Sequence, residues 1–288
     1  MTVPSPWAGP ARWGLFEAKL DGDDQQVDVA YEYTGDSSRA GVRRLLEDGG
    51  LAGPDRAHAR AVLAAWVDQS HPLAFARTVS LELDQPSLPG PALAFVSFEA
   101  SAGVPPGHER IARIVDAWRS VAHEPVDLSR LRSLPRGAWP LHLASLRPRG
   151  SATQRWVFAS RRDGVAALLD AEGWPGDASA VQAFIDSTGF PRPYVSVHLD
   201  TGEGGLGPEV GVEWLAHGSP RRDQRWWPLF AALIRAGLAR TDRLDALCAW
   251  TEEPSPTPRI ADIKVVFRGD RPVRAKGYRV FGAGHPGA

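Results

Sequence analysis

At 288 residues the chain is long enough for one large domain or two small ones with a sizeable buried core. Its 33 basic and 34 acidic residues leave a net charge of -1, without the basic excess of a general nucleic-acid binder. No apolar run approaches the roughly 18–20 residues of a membrane helix, the N-terminal MTVPSPWAGPARWG lacks the layout of a signal peptide, and the single Cys248 excludes an internal disulfide, so a soluble cytoplasmic protein is expected.

In chain order, residues 1–12 are proline-rich and read as an irregular arm. WGLFEAKL (13–20) and QVDVAYEY (26–33) alternate as strands around the turn chemistry of residues 21–24. Two helices follow, over 37–48 and from Pro54-Asp55 through Val67. Strands at 73–84 and 92–100 form the next hairpin. In HERIARIVDAWRSVA (108–122), Ile111, Ile114, Val115, Trp118 and Val121 lie on one helical face. A third hairpin pairs 138–146 with 154–160; short helices then start after Asp163 and Asp177, both read as caps. The fourth pairs 192–200 with 209–216 and is followed by helices at about 223–239 and 242–250. The fifth, Asp262 to Phe281, ends the pattern, and residues 283–288 read as a frayed tail.

Five hairpins at intervals of roughly 60 residues, with helices between them, repeat an architecture and not a sequence. Ten antiparallel strands must hide their edges, and one closed barrel over 13–282 with helices outside does so. An open sheet with helices on one face, or two α+β domains split near 101–137, are the alternatives.

The last hairpin carries the sharpest pattern. Period-two alternation puts Arg274, Lys276 and Tyr278 on one face of its second strand, and sets Lys264 apart from Ile263, Val265 and Phe267 on its first. This Arg-x-Lys-x-Tyr strand, in a chain of five hairpin-and-helix units, resembles the ABBA prenyltransferases, the PT-barrel family. The resemblance implies an α+β fold with a ten-stranded antiparallel barrel of about five ββαα repeats. It further implies that Arg274, Lys276, Tyr278 and Lys264 hold a diphosphate by charge-assisted hydrogen bonds, with Trp13, Trp139, Trp156 and Phe95 as lumen walls. The expected activity is transfer of a prenyl group to an aromatic or peptide side chain in natural-product biosynthesis. No cofactor is called for by the residues; a diphosphate substrate admits Mg2+ as its companion.

The family's other Lys-x-Tyr and Arg-x-Tyr strand pairs are not here. The polar strand faces carry Glu17, Asp28, Glu32, Glu82, Asp84, Glu99 and Glu213 instead. Acidic faces suit a cationic or peptidic substrate, so a tailoring or cyclising enzyme acting on a ribosomally made peptide, and a non-catalytic peptide-binding protein, are further readings. Glu213 and Glu82, each between apolar neighbours, are candidate acid–base catalysts; strand salt bridges are the plain alternative. His198 shares a strand face with Asp200 and forms a third candidate. Gly202 to Gly207 spells G-x-G-x-x-G, but Pro208 and an alternating strand follow, so it is a hairpin loop and not a dinucleotide site. The histidines show no metal-ligand spacing. The expected partner is a small molecule or a peptide, not nucleic acid or membrane.

Overall fold

Alternation along each strand gives one apolar and one polar face, and the fold follows from what each face meets. A computed structural model describes residues 8–22, 27–84, 90–99, 106–123, 125–126, 131, 134–190, 192–215, 223–253 and 259–282. The arm up to residue 7, the turn residues 23–26, most of the 85–91 link and the 283–288 tail lie outside the described residues.

The ten strands are β1 (Trp13–Lys19), β2 (Val27–Thr34), β3 (Thr78–Leu83), β4 (Ala92–Ser97), β5 (Ala138–Ser145), β6 (Gln154–Arg161), β7 (Tyr194–Gly202), β8 (Gly205–Leu215), β9 (Arg259–Arg268) and β10 (Arg271–Gly282). Each pairs antiparallel with its neighbours in sequence, and β1 pairs with both β2 and β10, which closes a ten-stranded barrel. The closed barrel replaces the open-sheet and two-domain alternatives. Closure leaves no edge strand to be covered.

Seven α-helices lie among the described residues: α1 (Gly35–Glu47), α2 (Ala57–Val67), α3 (His108–Ala122), α4 (Val165–Glu172), α5 (Ala178–Ser187), α6 (Trp227–Arg235) and α7 (Thr241–Glu252). The apolar strand faces, such as Val79, Leu81 and Leu83 of β3, join the buried helix stripes in one core between wall and helices. Within it α2 packs on β3 and β4, and α7 on β9 and β10. No helix among the described residues is long and apolar enough to cross a membrane.

Local departures from the expected elements have plain causes. Residues 72–75 form a 3-10 turn and not the start of β3, because Pro72 presets a turn and the ring of His71 accepts a bond from the Leu73 N–H at 3.0 Å. Asp177 caps α5 through the Ala180 N–H, also at 3.0 Å. Asp163 is not a cap; its carboxylate takes two bonds from Arg161, each 2.9 Å, and Gly164 occupies the cap position of α4. The glycine-rich stretch before β8 is a two-residue turn, since Gly202 pairs with Gly205. Gly269 has φ 65° in the equally tight turn of the last hairpin, where a side chain would be strained.

Candidate functional site

The polar strand faces point inward. A central cavity of about 150 Å³ is bordered by side chains from every strand of the barrel, among them Glu17, Asp28, Glu82, Phe95, His142, Arg155, His198, Glu213, Lys264, Lys276 and Tyr278. It continues into an outer chamber of about 470 Å³, which shares Leu15, Ser80, His142, His198 and Glu213 and adds Trp13, Glu32, Glu99, Leu215 and Asp262. The opposite end narrows to a space of about 40 Å³ between Arg155, Asp200, Glu209, Lys264, Arg274 and Lys276.

That narrow end is a layer of ion pairs. Arg155 grips Asp200 with two parallel bonds, 2.7 and 2.9 Å. Arg149, reaching in from the β5–β6 turn, donates to Asp84 at 2.8 Å and also to Glu82. Arg274 and Arg268 both donate to Glu209, and Lys276 donates to Glu17. Bidentate and charge-assisted pairs of this kind are the strong ones, and partial burial protects those of Arg149, Arg155 and Lys276 from screening, while the side chains of Arg268 and Arg274 are more open to solvent.

At the centre, three strands build one chain of hydrogen bonds. Glu213 of β8 sits directly across from Lys264 of β9. His198 of β7 lies opposite Gly211, one diagonal step from Glu213. The Lys264 Nζ passes over Gly211 and donates to His198 Nδ1 at 3.1 Å, and His198 Nε2 lies 2.8 Å from Glu213 Oε2. Burial, then the positive charges of Lys264 and Arg155, hold His198 well below the usual imidazole range, so the ring is neutral. Its partners assign the tautomer: Nε2–H donates to the carboxylate and Nδ1 accepts from the ammonium.

Burial sets the other protonation states. It pulls the Lys264 ammonium down to about 8, aided by Arg155 and opposed by Glu17 and Glu213. It raises the Glu213 carboxyl against the pull of Lys264. Burial also lowers His142 to about 4. For Glu17, burial acts upward but is outweighed by Lys276 and Lys264, with a bond from the Tyr278 hydroxyl, and the carboxyl falls to about 2. A carboxyl depressed from 4.5 to about 2 stabilises the fold fully above 4.5 and loses that contribution as pH falls toward 2. Urea unfolding between pH 5 and pH 2 should therefore show a shallower acid loss in Glu17→Gln than in the parent; equal slopes would refute the assignment.

No family model matches the chain, and no curated protein matches it.

The expected site residues divide as follows. Lys264, Arg274, Lys276 and Tyr278 share the lumen face, as their alternation requires, and the three cations converge at its narrow end. Each already holds a partner: a neutral ring for Lys264, carboxylates for Arg274 and Lys276. Glu82 is lumenal but bound to Arg149. His198 pairs with Glu213, not with Asp200 on its own strand. Trp13 and Phe95 border the lumen. Trp156 does not: Arg155 and Val157 take the lumen side, so Trp156 turns outward and stacks between Phe98 and Phe158. Trp139 lies at the rim, edge-on to Tyr194 at 5.2 Å and clustered with Leu141, Val157 and Ala159. Arg149, Glu209 and Gly211 were not legible as site residues, being a turn arginine, a strand-end carboxylate and a bare backbone. Among the described residues no three His, Cys, Asp or Glu side chains gather as a metal site.

Proposed function

We propose that the barrel is a tailoring enzyme whose Glu213–His198–Lys264 chain moves protons on a basic group of a substrate, a peptide side chain or a small amine, held in the lumen. The observation that carries this reading is the charge of the lumen. Its lining holds the carboxylates Glu17, Asp28, Glu32, Glu82, Glu99, Asp200, Glu209, Glu213 and Asp262 against the cations Arg149, Arg155, Lys264, Arg274 and Lys276. Such a lining favours positive charge on a bound group and on a transition state. The outer chamber supplies four of those carboxylates and no lysine or arginine, beside the indole of Trp13. Glu213 and Glu17, pushed apart by their surroundings, suit the roles of proton carrier and fixed anion.

Prenyl transfer of the PT-barrel kind is the second reading. The observation in its favour is that Lys264, Arg274, Lys276 and Arg155 border one small space. A diphosphate there must displace Glu209 and Glu17 from their cations. Calorimetry separates the two readings. Agmatine or a lysine-containing peptide should bind saturably, and dimethylallyl, geranyl and farnesyl diphosphates should not, with or without Mg2+. Saturable diphosphate binding that weakens about tenfold or more in Lys276→Ala, the loss of one charge-assisted contact, would establish the prenyl reading instead. Binding of neither class would leave a non-catalytic barrel.

A further inference from the structure

The chain has three lysines, Lys19, Lys264 and Lys276. Lys19 is exposed at the end of β1, and Lys276 is tied to Glu17. Lys264 differs in place and in surroundings. It is only 6% exposed, and it stands in the middle of β9 facing the central cavity. The bare backbone of Gly211 makes room for it: a Cβ there would lie 2.5 Å from Lys264 Cε and 3.3 Å from His198 Cβ. Gly211 does not adopt a positive φ, so space and not backbone conformation is what requires glycine. The gap lets Nζ cross β8 to a ring nitrogen that can only accept, 3.1 Å away.

We infer that Lys264 is a nucleophile that condenses with an aldehyde or ketone carbonyl in the lumen to form an imine. The placement provides each proton step. The ammonium passes a proton to His198 Nδ1 while His198 Nε2 releases one to Glu213. This leaves a neutral amine, a neutral ring of the other tautomer and a protonated carboxyl. Burial lowers the cost of reaching that neutral arrangement from the charged pair, in keeping with the downward shift of Lys264 and the upward shift of Glu213. The amine lone pair then adds to the carbonyl carbon, and the carbonyl oxygen takes a proton from that nitrogen to give a neutral carbinolamine, with Glu213 still protonated. Glu213 returns its proton through His198 to the hydroxyl, the C–O bond breaks, water leaves and an iminium remains. No electrons are exchanged with an outside reagent. The positive charge first held on Lys264 ends on the iminium, where Glu17 and Glu213 still face it. Neighbouring cations activate lysines in this way, and here Arg155 and Lys276 act as those neighbours.

The inference rests on the lumen being the active site, and its test can fail separately from that reading. Full-length protein is treated with propanal and cyanoborohydride at pH 7, and the alkylated lysines are mapped by mass spectrometry. An amine with a value of about 8 is free far more often at neutral pH than an ordinary lysine. Lys264 should therefore be labelled at least about tenfold faster than Lys19, after discounting for its narrower access. His198→Gln and Gly211→Ala should each slow Lys264 labelling and leave Lys19 labelling unchanged, which a general loss of structure would not do. Label confined to Lys19 and the chain terminus overturns the inference. If agmatine still binds in that case, the acid–base reading stands without the nucleophile; if it does not, both fall.

Discussion

Lys264→Ala is expected to destabilise the barrel by about 3–5 kcal/mol, the usual cost of removing one partner from a buried ion pair. The side chain is buried between Glu213, Glu17 and His198, and its loss leaves two enclosed carboxylates with Lys276, bound to Glu17, as the lysine that still faces them. Glu213 can respond by keeping its proton, so the deficit should grow as pH rises and that proton becomes harder to hold. A second substitution tests the cause. Lys264→Met with Glu213→Leu removes both charges at directly paired positions and should recover most of the loss. Urea unfolding of the parent, both single variants and the double variant closes the cycle. Additive losses would show that the two side chains do not act as a pair.

Trp118→Ala is expected to cost a similar amount, about 3–5 kcal/mol, for a different reason. Trp118 is fully buried on the stripe that α3 presents with Ile111, Ile114 and Val115, and it stands edge-on to His58 of α2 at 5.4 Å. Its deletion opens a cavity that two helices and a closed barrel have little freedom to fill. The measurement is again chemical unfolding, and a variant as stable as the parent would refute it. The two losses should differ in pH dependence: the Lys264 deficit varies with pH and the Trp118 deficit does not.

Much of this was legible because strand alternation is local. Arg274, Lys276, Tyr278 and Lys264 share the lumen because i, i+2 and i+4 share a face, and the acidic faces lie inward for the same reason. The same rule puts Trp156 outside because Arg155 is inside, and the expectation of Trp156 as a lumen wall misses that parity. Along β5 the simple count fails in another way: the register shifts between Pro140 and His142, so both Leu141 and His142 reach the outer chamber, and Trp139 packs at the rim with Leu141 and Val157.

The sequence by itself determined the hairpin order, the amphipathic stripe of α3 and the sign of charge on each strand face, because these depend on residues a few positions apart. Only the tertiary structure decided which charges meet. Barrel closure brings β1 to β10, so Glu17 finds Lys276. Stagger between β7 and β8 gives His198 to Glu213 and leaves Asp200 to Arg155. A turn directs Arg149 into the lumen, and the missing side chain of Gly211 lets Lys264 cross a strand. Cross-strand register and the space beside a glycine are set by the packing of the whole barrel, and no local window of sequence contains them.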